Sequence, residues 1–266
     1  MKEYSNFLMQ SARIHPKSSE GAEARFRKAI SSKFAGKTRK QTILILELIR
    51  EMIHSKTALR NISSQQFPEG GKQNNAFRVL VSTVLSARTK DPVTEAAAAR
   101  LFARFPDPRM LSRAKVAEVS ELIKPVLYYN VKAKRIIEIS KILTEKYHGT
   151  VPSDFEALLD LPGVGRKTAN CVLVYAFNTP AIPVDVHVHR ISNRIGLVRT
   201  KTPEETEAEL SKLYEKKYWL DVNELFVAFG QTVCLPRIPH CEVCSVRPSC
   251  DYYQNYVKRE KAPSSV

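Results

Sequence analysis

No apolar run in this chain approaches the ~20 residues that a membrane-spanning helix needs. Met1 to Gln10 likewise holds no hydrophobic stretch of the kind found in secretory signals. A soluble, intracellular protein with no membrane partner is therefore expected. Acidic residues are also scarce: 27 Asp and Glu face 42 Lys and Arg, a formal charge of +15 over 266 residues. That deficit argues against an acidic-surface protein and predicts a polyanionic partner, most simply nucleic acid. Histidine is thin and scattered. His15, His54, His148 and His240 show no ligand spacing, so Asp185-x-His187-x-His189 lacks the further ligands a metal hydrolase would need.

Cysteine is rare as well, and its placement is informative. Four of the five cysteines fall within seventeen residues, as Cys234-x6-Cys241-x2-Cys244-x5-Cys250. Thiolates packed so closely in a reducing compartment hold a metal centre more often than they form disulfides. Structural zinc usually takes two short pairs on separate knuckles, and only Cys241 and Cys244 make such a pair. The wide flanking spacings wrap one contiguous loop, which leans toward an iron-sulfur cube and leaves zinc open. The fifth cysteine, Cys171, sits among Ala169, Val172 and Leu173 and reads as a core residue.

The patterning is helical almost throughout. Phe77, Leu80, Val81, Val84 and Leu85 repeat with helical period, as do Ile45, Leu48, Ile49, Met52 and Ile53. Thr202-Pro203-Glu204-Glu205 combines an N-cap, a first-turn proline and a capping-box glutamate, and Ser153-x-x-Glu156 reads as a second box. An all-α protein is expected. Ala181 to His189 is the exception, since it alternates like a half-buried strand. Residues 1–40 hold ten Lys or Arg against three Glu with little apolar periodicity, which predicts a basic, partly disordered arm. Pro68, Gly70 and Gly71 mark a linker.

Leu161-Pro162-Gly163-Val164-Gly165-Arg166-Lys167-Thr168-Ala169 joins two helical segments through a two-glycine turn. Its glycines allow positive φ and close approach, so the turn and helix-start amides can face one phosphate. This is a helix-hairpin-helix, which grips DNA backbone without reading sequence. Asp185 follows eighteen positions after Lys167, within Pro183-Val184-Asp185-Val186-His187, and the cysteine loop comes next.

In the order and spacing of these pieces, from about Ala76 to Tyr252, the chain resembles the endonuclease III family of helix-hairpin-helix DNA glycosylases. The resemblance implies a two-domain fold and a 4Fe-4S cluster on Cys234, Cys241, Cys244 and Cys250. The six-helix barrel would span residues 70–179. The cluster domain would be discontinuous, 41–69 with 180–253, before a tail of 254–266. It also implies excision of oxidised pyrimidines and strand cleavage in double-stranded DNA by a monomer, with Lys167 as nucleophile and Asp185 as its partner. Burial beside a helix N-terminus and basic neighbours such as Arg166 would lower the lysine pKa, while Asp185 pulls it the other way. Abasic sites would be cut as well. Gly163, Val164, Gly165, Arg166 and His187 would contact DNA, and Arg237 would do so from the cysteine loop. Arg88 stands where the family commonly fills the vacated base stack with glutamine. Tyr128, followed by Asn130, stands where an aliphatic wedge is common. Mismatch or alkylated-base excision, and a non-catalytic DNA-binding module, are the alternatives. Serine at position 82, where the adenine-removing branch carries an acid, weighs against that branch.

Overall fold

The computed structural model describes residues 36–54 and 71–257, and eleven α-helices without a strand run through them. They are α1 (Arg39–His54), α2 (Gly71–Ser86), α3 (Asp91–Arg104), α4 (Pro108–Ser112), α5 (Val116–Ile123) and α6 (Tyr129–Lys146). The remainder are α7 (Phe155–Leu159), α8 (Arg166–Phe177), α9 (Val186–Ile195), α10 (Pro203–Leu213) and α11 (Lys216–Thr232). None is long and apolar enough to cross a membrane. Short 3₁₀ turns at Cys241–Val243 and Arg247–Ser249 shape the cysteine loop.

The apolar residues separate into two cores. One gathers side chains from Ala76 to Ala181, with α2 packed against α3, α6 and α8, and α6 against α4 and α5. All five apolar positions named on α2 are buried within it. The other core joins Ile45, Ile49, Met52 and Ile53 of α1 to α9, α10 and α11. Leu48 on α1 is only partly buried. Over the described residues the path thus runs from the second core through the first and back. The return falls between Ala181 and Ile182, which belong to different cores.

Four local expectations are corrected. Residues 181–189 form no strand. Ala181, Ile182 and Val184 are buried in succession rather than alternately, and Asp185 then starts α9, its Oδ1 accepting from the His187 and Val188 N–H groups at 2.8 and 2.9 Å. The cap of α7 is Asp154, which accepts from Ala157 N at 2.9 Å, rather than Ser153. A carboxylate caps as well as a hydroxyl and also suits the helix dipole. At the N-terminus, α1 begins at Arg39 inside the stretch read as an arm, and Lys37 pairs with Asp251 at 2.7 Å; the rest of that arm lies outside the described residues. Residues 253–257, read largely as tail, make a helical turn in which Tyr256 stacks on Tyr252. The Thr202 cap holds, with its Oγ1 accepting from Glu205 N at 3.1 Å.

Candidate active site

The hairpin forms as α7, a turn, and α8. Gly163 takes φ +75°, the left-handed region that favours glycine, and a Cβ there would press on the flexible Arg135 side chain, so the conformation is what requires glycine. Gly165 is under no such constraint. Its φ is −99°, and a Cβ would find nothing within 4 Å. What it contributes is an open approach to the first-turn N–H groups of α8, which have no helical acceptors. Val164 turns inward: its side chain is buried and its N–H donates to Leu161 O at 3.0 Å, leaving only its carbonyl for a ligand. Arg166 is exposed and pairs with Glu207 at 2.8 Å over the Phe155 ring.

Lys167, one residue into α8, faces a cavity of about 140 Å3 between the two cores. Asp185 borders the same cavity from the start of α9, so the pair separated in sequence is brought together across the cleft. Asp91 and Glu95 of α3 and Gln231 of α11 also line it, and Gln231 Nε2 donates to Asp91 Oδ2 at 2.9 Å across the gap. Deeper, Tyr175 donates to Asn223 Oδ1 at 2.6 Å, and Asn223 Nδ2 donates to Pro183 O at 2.8 Å.

The expected lowering of the Lys167 pKa is not found. Its side chain is hydrogen-bonded to Cys171, and this sulfur followed by Asp185 raises the amine above its ordinary value, outweighing the opposite pull of burial. Arg166, engaged with Glu207, exerts no lowering. Cys171 is buried as expected, but it belongs to the cavity wall as well as to the core. Burial raises its thiol above the usual range.

The other sites divide. Arg88 is exposed with φ +57°, and Tyr128 is 58% exposed with φ +59°, so Tyr128 does not pack in the core. Asn130 is exposed on the first turn of α6, and Arg237 on the loop after Cys234. His187 lies instead between helices: its Nδ1 is 3.3 Å from Arg190, and a Cβ added at Gly230 would strike it. Burial lowers its pKa. A ligand could reach it only at its edge.

Cys234, Cys241, Cys244 and Cys250 line one cavity with Arg194 and Tyr252. They surround a space rather than a point: among the described residues no three His, Cys, Asp or Glu side chains converge for a single ion. Burial, reinforced by the neighbouring sulfurs, pushes Cys241 and Cys250 up to about 12. Such thiols become thiolates only with a cation beside them. Arg194, 1% exposed, donates to Leu235 O at 2.7 Å and Pro236 O at 2.5 Å, and Arg190 donates to Cys234 O at 2.9 Å.

Sequence reasoning missed Asp91, Gln231, Tyr175 and Asn223. Their only signal is polarity on otherwise apolar helical faces, which resembles ordinary solvated positions until α3, α8 and α11 are brought together.

Two cores, a glycine hairpin and a lysine-aspartate cavity between them define a class. Residues 81–216 match the HhH-GPD superfamily of base excision DNA repair proteins, and the chain belongs to it. Within that superfamily its relatives include Endonuclease III of Thermotoga maritima, 48% identical over 217 residues that cover 82% of this chain and 97% of the relative. Among solved structures it is similar to a trapped Endonuclease III-DNA covalent intermediate, with TM-score 0.72 and 31% identity over 85% of this chain and all of that one. A non-covalent Endonuclease III-DNA complex gives 0.73 and 30% over 84% of this chain and 99% of that one.

Proposed function

We propose that this protein is a bifunctional DNA glycosylase and abasic-site lyase that removes oxidised pyrimidines from double-stranded DNA. The observation that carries this reading is the meeting of Lys167 and Asp185 at one cavity, supplied by different cores. The neutral Lys167 amine attacks C1′, the glycosidic bond breaks, and the base leaves with the electron pair. Loss of the amine proton and cleavage of the C1′–O4′ ring bond, its electron pair going to O4′, then give a Schiff base that acidifies the C2′ proton. Its removal breaks the C3′–O bond and expels the 3′ phosphate. A hydroxyl at position 167 could form no imine and would stop at base release.

The raised lysine pKa sharpens the role of Asp185. An amine kept as ammonium must lose its proton locally, and the Asp185 carboxylate, on the same cavity, would accept or relay it and then stabilise the sugar cation. The hairpin amides around Gly163 and Gly165 would hold a backbone phosphate, with Arg88, Tyr128, Asn130 and Arg237 around the duplex. Cys234, Cys241, Cys244 and Cys250 would hold a 4Fe-4S cluster, which fits four thiols set around a space. That cluster would supply structure, since no thiol of the set remains as a nucleophile. On this reading residues 70–179 are the barrel, and 41–69 with 180–253 the cluster domain.

Borohydride reduction of the imine provides the test. Wild-type protein should be trapped covalently on duplex DNA with an oxidised pyrimidine, and Lys167→Gln should not. A trapped Lys167→Gln complex would remove the nucleophile assignment.

A further inference from the structure

Lys132, on α6, is 4% exposed and has no carboxylate within reach among the described residues. Its Nζ donates to Leu85 O at 2.7 Å, Ala87 O at 2.7 Å and Thr89 Oγ1 at 3.2 Å. Three donors meet three acceptors, so the ammonium is fully satisfied. Burial, with Arg135 adding repulsion, brings its pKa down to about 8, and the three acceptors still hold the charge through neutral pH.

Those acceptors are not scattered. Leu85 and Ala87 are at the C-terminal end of α2, where carbonyls lack helical partners and a cation is favoured by the dipole. Ala87 and Thr89 bracket Arg88, which lies in the left-handed region that a long side chain rarely adopts. Thr89 Oγ1 also accepts from Leu127 N at 3.2 Å, and Leu127 precedes Tyr128, the second left-handed residue. A single ammonium therefore ties the Arg88 turn to the Leu127-Tyr128 turn through one hydroxyl. The first of these turns flanks the lysine cavity, because Ser86 and Asp91 on either side of it line that cavity.

We infer that Lys132 is a positioning residue that holds the Arg88 and Leu127-Tyr128 turns as one unit, so that both enter the duplex together when the target base leaves the stack. The inference rests on the reading above, in which these turns face DNA. A wedge on one side and a donor on the other fill the vacated space only if their separation is fixed beforehand, since unstacking costs a few kcal/mol that loose loops would not return.

The test compares Lys132→Met and Thr89→Val with wild type on two substrates under single-turnover conditions. One is a paired duplex carrying thymine glycol. The other is single-stranded DNA with an abasic site, where nothing has to be flipped. Lys132→Met should lose about tenfold or more on the duplex, equivalent to ~1.4 kcal/mol. On the single strand it should stay within about twofold, a difference near the scatter of such comparisons. Thr89→Val keeps the carbonyl contacts but cuts the link to Leu127, and should show the same split more weakly. 2-Aminopurine beside the lesion should brighten more slowly with both variants. Equal losses on both substrates, or no duplex loss, would overturn the inference. Should Lys132→Met fail to fold, the Thr89→Val split decides alone. Wild type inactive on both substrates would instead overturn the glycosylase reading, and this inference with it.

Discussion

Asn223→Ala should be among the most damaging single changes outside the reacting pair. Asn223 is 5% exposed and joins three parts of the molecule, accepting from Tyr175 of α8 at 2.6 Å and donating to Pro183 O at 2.8 Å, two residues before Asp185. Truncation leaves a buried hydroxyl and a buried carbonyl without partners, each costing about 1–3 kcal/mol. Water entering from the adjacent cavity can recover part of this, so a net loss of about 2–3 kcal/mol is expected. For a chain of this size that lowers Tm by about 4–12 °C, read by calorimetry or circular dichroism. Freed Pro183 also loosens the segment that sets the Asp185 carboxylate, so kcat should fall while duplex affinity holds. Tyr175→Phe should cost about 1 kcal/mol, and the double variant should lose less than the sum because both single changes break the same bond. Unchanged Tm and unchanged kcat in Asn223→Ala would refute the bridging role. Strict additivity in the cycle would refute the coupling.

Cys171, once ionised, and Asp185 raise the Lys167 pKa above its ordinary value, so the amine stays protonated at pH 7. Single-turnover imine formation should therefore climb with pH across the neutral range. Asp185→Asn removes a raising group, so its profile should shift to lower pH as its maximal rate falls; a shift to higher pH would contradict the assignment. Thr202→Ala deletes the cap of α10 and should cost about 1 kcal/mol, seen as a small Tm decrease with base release unaltered.

How much was legible depended on the range of the interaction involved. The helices of both cores were visible because burial of one face imposes its period on the residues themselves, as on α2. The hairpin and the Lys167-Asp185 spacing were legible because glycines and charged residues stand out against apolar runs. Residues 181–189 misled because a buried extended crossover and a capped helix start can imitate alternation. The lysine pKa was misjudged because its sign is set by what lies opposite in space: Glu207 takes Arg166 away, and Cys171 proves to be a neighbour. Lys132 left no trace, since its partners are backbone carbonyls that any sequence would provide.

Helix α9 has one further consequence. Ten residues at 1.5 Å make a rod of about 15 Å. Asp185 caps one end, and Arg190 and Arg194 toward the other grip the Cys234, Leu235 and Pro236 carbonyls. A rod transmits displacement, so any shift of the cysteine loop would reach the Asp185 carboxylate at the far end of α9.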